Sequence, residues 1–304
     1  MNIEVDKLIY PLFVKKGRNL KEEILSMPGV YRFSPDLLVK EVGVLKKLGI
    51  RRILIFGIPL TKDPKGTSSY VEGNMVSSAV KLIKFFHPEM TIITDVCLCN
   101  YTTHGHCGII KKRTRKIDNI ATLKALSRIA LSHANAGADC VAPSAKAKNE
   151  VRAIRKTLDS SGFKHIKIMG YSAKFASNFY GPFRDIADSA PRFGDRKSYQ
   201  LDYARADHAL DRAKQDIKEG ADIIMVKPTL GYLDIVKNLK HRFKHPLAAY
   251  NVSGEYSMVK NGVKAGFWKE KDMVLEIISS IKRSGADYII TYHAKDIAKW
   301  LKKR

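Results

Sequence analysis

The chain has 304 residues, 45% hydrophobic and 28% charged, with 54 lysines and arginines against 30 aspartates and glutamates, a formal charge of +24. This composition excludes a disordered, collagen-like or mucin-like chain, and four cysteines are too few for a disulfide scaffold. No run approaches ~18 apolar residues and no charged-then-apolar leader opens the chain, so the sequence predicts a soluble, reduced, cytoplasmic protein with no membrane contact.

Short apolar runs rich in β-branched residues recur in order. They are LIYPLFV (8–14), RRILIFG (51–57), MTIITDVCL (90–98), ADCVAPS (138–144), HIKIMGYS (165–172), ADIIMVKP (221–228), LAAYNVS (247–253) and DYIITYH (287–293). Their unbroken apolar character predicts eight strands buried on both faces. Between them run helical patterns, among them 35–49, 121–137 and 272–285; the first puts Leu38, Val39, Val42 and Leu45 on one face. Gly-Ala-Asp stands just before a strand at 137–139, 220–222 and 285–287, and Leu48-Gly49-Ile50 plays the same part. A glycine there ends a helix where positive φ is needed. Helix, glycine stop and buried strand, eight times over, predict an α/β chain forming a (β/α)₈ TIM barrel. A length prior of ~150 residues per domain allows two domains, but a barrel of ~250 residues is one. We therefore expect a single catalytic domain over 1–304 with a short N-terminal arm at 1–7. The competing architecture is an open doubly wound sheet; no G-x-G-x-x-G follows any strand to support its dinucleotide-binding form.

The positive charge admits nucleic acid, anionic lipid, small anionic substrates or an ordinary solvated surface. Its short clusters are KKRTRK (111–116) and the C-terminal KWLKKR. There is no RNA-binding aromatic signature and no zinc-finger spacing, so nucleic acid is not expected.

In a barrel of this kind chemistry sits at the C-terminal ends of the strands. The segment DVCLCNYTTHGHCG (95–108) puts Cys97, Cys99 and Cys107 close together, with His104 and His106 between. Thiolates select zinc, and three protein ligands leave a fourth position open. The other readings are a set of free buried thiols or a disulfide, the latter disfavoured in a reduced protein. His104 and His106 are supporting residues, or His106 an additional ligand, and Gly105 and Gly108 let the chain fold back. Cys140, inside a strand, reads as a small core residue. Lys227 ends a buried strand and Lys174 lies in GYSAKFASNFYGPFRD (170–185). Either lysine is an amine whose pKa falls by burial and mutual repulsion, able to attack a carbonyl, or a snorkelling rim residue. Arg184 and Arg196 lie in the long connection after the fifth strand, as substrate-gripping lid residues or ordinary surface arginines. Ser144, Tyr250, Ser253, Tyr292 and His293 also stand at or just past strand ends, and Ser144 and Tyr250 count as substrate-binding candidates.

These motifs, with RFGDRKSYQ, IIMVKP followed by YLDIV, and AAYNVSGEY, resemble porphobilinogen synthase (5-aminolevulinate dehydratase) over roughly residues 8 to 302. The resemblance implies a hydro-lyase of tetrapyrrole (heme, porphyrin) biosynthesis. It condenses two 5-aminolevulinate molecules to porphobilinogen with loss of two waters. It implies that Lys227 and Lys174 form Schiff bases with the first and second substrate. It implies further that Ser253 and Tyr292 hold the first carboxylate and Arg184 and Arg196 the second. The resemblance also implies that Asp95 handles protons and that Cys97, Cys99 and Cys107 hold one zinc ion per subunit. No nicotinamide, flavin or pyridoxal is implied.

The chain departs from that pattern in four places. The family's A-P-S-D-M-M-D-G-R loop reads here Ala142-Pro143-Ser144-Ala145-Lys146-Ala147-Lys148-Asn149-Glu150, so Ala145 and Lys148 replace two aspartates. Arg212 stands where the family's glutamate for an allosteric magnesium would be, which predicts loss of that site. His293 replaces the second tyrosine of a Tyr-Tyr pair. Only seven residues precede the first strand, which favours a dimer or small ring over an octamer built by arm exchange. The expected functions are thus a working zinc-dependent synthase, a weakened or altered Schiff-base aldolase-like enzyme, or a basic binding protein that has kept the fold.

Overall fold

The computed structural model describes residues 3–187, 189–205 and 207–302. Met1 and Asn2 of the expected arm and the last two residues of KWLKKR lie outside the described residues. In chain order the strands are β1 (Leu8–Lys15), β2 (Lys21–Glu23), β3 (Tyr31–Phe33), β4 (Arg52–Ile58), β5 (Thr91–Val96), β6 (Cys140–Pro143), β7 (Lys167–Lys174), β8 (Ile223–Lys227), β9 (Leu247–Asn251) and β10 (Tyr288–Thr291). The helices are α1 (Pro35–Lys47), α2 (Met75–Phe86), α3 (Asn119–Asn135), α4 (Glu150–Ser160), α5 (Gly181–Ala187), α6 (Asp207–Lys218), α7 (Leu233–Phe243), α8 (Ser253–Lys264), α9 (Glu270–Arg283) and α10 (Ala294–Lys302).

Strands β1 and β4 to β10 pair in parallel, and β10 pairs back onto β1 through Leu8 with Ile289 and Ile9 with Ile290. That pairing closes the barrel and excludes the open sheet. All eight predicted runs are barrel strands. The antiparallel pair β2–β3, attached to the C-terminal half of β1, was not predicted; three-residue strands are too short to show a hydrophobic period. Residues 3–7 lie against the barrel's own N-terminal end, where Arg52 donates to the Asp6 carbonyl and Lys282 pairs with Glu4. Among the described residues no helix is long and apolar enough to cross a membrane.

Alternation divides the core. Ile9, Phe13, Leu54, Phe56, Ile93, Met225, Ala248, Tyr250 and Ile290 fill one buried cluster inside the barrel. Their neighbours Leu8, Leu12, Ile53, Ile55, Ile92, Ile224, Leu247 and Ile289 pack outward under the helices. The glycine stops behave as expected: Gly137, Gly220 and Gly285 have φ of +98°, +100° and +112°.

The aspartate after each glycine has a role that the sequence reading missed. Asp139, Asp222 and Asp287 each accept the backbone N–H of the preceding barrel strand, from Ile92 at 2.7 Å, Ile168 at 2.9 Å and Leu247 at 2.8 Å. Each also pairs with a lysine: Lys84, Lys167 and Lys240. The repeat is a clamp that ties neighbouring strands together at the N-terminal end of the barrel.

Candidate active site

Lys227 falls two residues after the inward-facing Met225, so strand period turns it into the barrel. Lys174 gets there differently. Met169 and Tyr171 face inward, and strict alternation would bring Ala173 in next and send Lys174 out. The register between β7 and β8 slips between Gly170 and Ala173, an extra residue is accommodated, and Lys174 comes level with Lys227 on the adjacent strand. Both side chains are buried. The Lys227 ammonium lies 4.2 Å from the Tyr250 ring centre and 5.0 to 5.4 Å from those of Tyr171, Tyr180 and Phe183. Burial, and then Lys174, push the Lys227 amine down to about 7. The expected mutual depression is one-sided. Burial also works against the charge on Lys174, but the sulfurs of Cys107, Cys97 and Cys99 outweigh it and raise that amine above its ordinary value. Lys174 Nζ donates to the Ser144 carbonyl at 2.6 Å.

Asp95, on β5, faces the same interior. Burial raises its carboxyl to about 6, against the opposing pull of Lys174 and a hydrogen bond from Ser144. One of its buried oxygens has no protein partner. An acid near 6 and an amine near 7 in one water-poor site are a pair able to exchange protons at neutral pH.

The predicted strand through residue 98 stops at Val96, and Cys97 and Cys99 stand in the turn after it. Their sulfurs and that of Cys107 lie within 4.8 Å of one another, with Cys97 and Cys99 3.4 Å apart. Thiolates around a tetrahedral zinc at ~2.3 Å stand roughly 3.8 Å apart, so the three sulfurs fit that ion. Hydrogen bonds from Cys97 and Cys99, then burial opposing them, then Arg196 and Lys174, leave the Cys107 thiol well below its ordinary range. Gly105 makes the loop possible: at φ +72°, a Cβ there would lie 2.2 Å from the Ala190 carbonyl oxygen. His106 does not join the cysteines. Its Nε2 meets the Phe193 carbonyl at 2.9 Å and its Nδ1 the Tyr199 hydroxyl at 3.2 Å, so both nitrogens are engaged. His104 Nε2 meets the Pro64 carbonyl at 3.3 Å. Cys140 stays apart in the barrel core, as predicted.

The connection after β7 forms a cover. Arg196 is buried and donates to the carbonyls of Gly105, at 2.8 Å, and Ser189. Arg184, on α5, is half-buried with its Nε unpartnered. Ser253 opens α8 rather than ending a strand, and its hydroxyl accepts the Phe183 N–H at 3.1 Å. The Tyr250 and Tyr292 hydroxyls are 3.1 Å apart. Arg32 of β3 donates to the Ile186 carbonyl, so the unpredicted hairpin helps hold α5 down. Sequence reasoning missed Tyr180 and Phe183 around Lys227; the aromatic content of GYSAKFASNFYGPFRD was the available signal. A cavity of about 740 Å³ lies beside Cys107 and Tyr199, lined also by Lys146 and Arg212.

At the departures, Ala145 is buried, Lys148 is exposed, and Arg212 faces a buried group of Lys146, Glu150 and Asp216. His293 is buried, with its ring 4.4 Å from that of Tyr256 and its Nδ1 3.9 Å from Glu270.

The family model for delta-aminolevulinic acid dehydratase matches residues 1–300. The chain is 52% identical to delta-aminolevulinic acid dehydratase of Bacillus subtilis over 293 residues, covering 96% of this chain and 90% of that protein. It is 53% identical to that of Methanothermus sociabilis over 292 residues, with the same coverage of 96% and 90%. A solved structure, the Toxoplasma gondii delta-aminolevulinic acid dehydratase (porphobilinogen synthase) in complex with the reaction product porphobilinogen, superposes with a TM-score of 0.97 at 40% identity, over 100% of this chain and 87% of that one. With its closed barrel, paired lysines and cysteine cluster, the chain belongs to the delta-aminolevulinic acid dehydratase (porphobilinogen synthase) family of lyases.

Proposed function

We propose that this chain condenses two molecules of 5-aminolevulinate into porphobilinogen, with loss of two waters, as a step of tetrapyrrole (heme) biosynthesis. The observation that carries the reading is the pairing of Lys174 with Lys227 on adjacent strands. Two buried amines thereby face one acid and three converging sulfurs. Lys227, near 7, is the amine available at neutral pH to attack the first substrate's ketone and expel water as a Schiff base. Ser253, Tyr292 and Tyr250 offer hydroxyls to its carboxylate. Lys174 serves the second substrate, with Arg184 and Arg196 over it for a charge-assisted grip on the second carboxylate and Ser144 alongside. Asp95 gives and takes protons between the two.

Cys97, Cys99 and Cys107 would hold one zinc ion per subunit, without His106. With a fourth position open, zinc when bound supplies Lewis-acid polarisation of a substrate oxygen or activation of water. Arg212 is a cation and cannot ligate magnesium, so no magnesium activation is expected through it. We read the chain as one catalytic barrel, working in a reducing cytoplasm that suits free thiols, as a homo-oligomer of two or more copies. The substrate's carboxylate, not a net negative charge, is what the arginines and hydroxyls of the site would recognise, since 5-aminolevulinate also carries an ammonium group.

The test is porphobilinogen formation by the purified protein with zinc, after chelation, and after zinc is restored, alongside borohydride trapping of 5-aminolevulinate. Product that is lost and regained with zinc, and label on Lys227, are the expected results. A folded, zinc-supplied protein giving neither product nor label would overturn the assignment. Label without product would favour the altered aldolase-like enzyme.

A further inference from the structure

The loop between β6 and α4 lacks two carboxylates relative to the family pattern, yet it carries a buried lysine of its own. Lys146 is 4% exposed. Its ammonium donates to the Tyr171 carbonyl at 2.9 Å and the Ser172 carbonyl at 3.0 Å. Those two residues form the irregular stretch between Gly170 and Ala173 where β7 slips against β8. A bulge interrupts the ladder and leaves backbone groups without strand partners, and an unpaired buried carbonyl is costly. Lys146 serves both.

The loop is built to deliver that side chain. Lys146 and Asn149 adopt φ of +66° and +64°, a left-handed conformation that non-glycine residues take at a cost. Glu150, buried in the first turn of α4, accepts the backbone N–H groups of Lys146 at 3.1 Å and Ala147 at 3.3 Å. Glu150 and Asp216 offset the charges of Lys146 and Arg212. Asp216 also reaches the start of the bulge, since a Cβ on Gly170 would lie 3.1 Å from its Oδ2.

We propose that Lys146 is a positioning residue whose ammonium holds the β7 bulge in the register that turns Lys174 into the barrel beside Lys227. The proposal rests on reading Lys174 as the second reacting amine. It follows that Lys146 governs Lys174 and not Lys227, which reaches the interior by ordinary strand alternation.

The experiment compares the full-length, zinc-supplied wild type with K146M and K146R. Porphobilinogen kinetics are measured, and label trapped by borohydride from 5-aminolevulinate is assigned to Lys174 or Lys227 by peptide mass spectrometry. Displacing a reacting group by about 1 Å can cost ~10²-fold. K146M should therefore lose roughly 10- to 100-fold in kcat and lose label at Lys174, while label at Lys227 stays within about twofold. K146R, which keeps donors for both carbonyls, should restore most of both. K146Q, with one amide donor group, gives a smaller loss in the same direction and serves if K146M does not fold. Unchanged kcat in K146M, or equal loss of label at both lysines, would overturn the proposal. A wild type that traps label at neither lysine would instead overturn the active-site reading beneath it, so the wild-type arm separates the two failures.

Discussion

The two ends of the barrel use the same residue type in opposite ways. At the N-terminal end Lys84, Lys167 and Lys240 each meet an aspartate, and that aspartate also accepts a backbone N–H from the neighbouring strand. These lysines are 22% to 63% exposed and close ion pairs at the rim. At the C-terminal end Lys146 and Lys174 are buried and donate to backbone carbonyls, while Lys227 lies among aromatic rings. A lysine paired at a wet rim ties strands together. A lysine buried without such a partner becomes a reactive amine or a strut for one. Stability and chemistry are separated along the barrel axis, which leads to effects of different kind at each end.

The largest expected effect is at the C-terminal end. Lys227→Met should lower porphobilinogen formation by ~10⁴-fold or more, as loss of a covalent nucleophile does elsewhere. The same variant should be more stable than the parent, because a buried ammonium is removed. A folded amine depressed to about 7 binds its proton less tightly than in the unfolded chain, so its destabilising effect grows as pH falls from above 10 to about 7 and is level below. Thermal unfolding against pH would show the variant's advantage following that course; a variant less stable than the parent at neutral pH would break the contrast between the ends.

The same amine sets an acid limb on the rate. Only neutral Lys227 attacks a ketone, so kcat/KM should fall ~10-fold per pH unit below about 7. A profile flat from pH 5.5 to 8 would show that Lys227 is not the group titrating.

At the other end, Asp287→Ala should cost ~1–3 kcal/mol by leaving Lys240 and the Leu247 N–H without their acceptor. Activity should stay within about twofold. Denaturant midpoints and initial rates measured together check it; a large fall in rate without loss of stability would show that the clamp communicates with the site. Smallest of all, Gly220→Ala forces a side chain onto φ +100° and should cost about 1–2 kcal/mol, again without effect on rate.

Much of this was legible before the structure. The eight strands follow from unbroken apolar runs, and the helix stops from glycines two residues before each clamp aspartate. The place of Lys227 at the end of a buried strand follows from its apolar run, and the cysteine trio from its spacing; that Lys227 points inward rather than snorkelling at the rim follows only once Met225 is seen to face the barrel interior. Other features were not legible. Whether His106 is an additional ligand or a supporting residue was open in the sequence; the Phe193 carbonyl and the Tyr199 hydroxyl take its nitrogens. The clamp aspartates were visible as a repeat, but their function was not. The strand ends were placed too late at Cys97, Ser253 and Tyr292, since an apolar run does not reveal where the ladder stops.

By itself, then, the sequence determined what depends on a few neighbouring residues: strand period, helix stops, and a set of thiols close along the chain. The tertiary structure decided what depends on partners brought together by the fold. Lys146 and Tyr171 are 25 residues apart, Lys240 and Asp287 47, and Arg196 and Gly105 91. No local pattern carries those separations. The bulge that brings Lys174 level with Lys227 is a mismatch between two strands, and it exists only once they are paired.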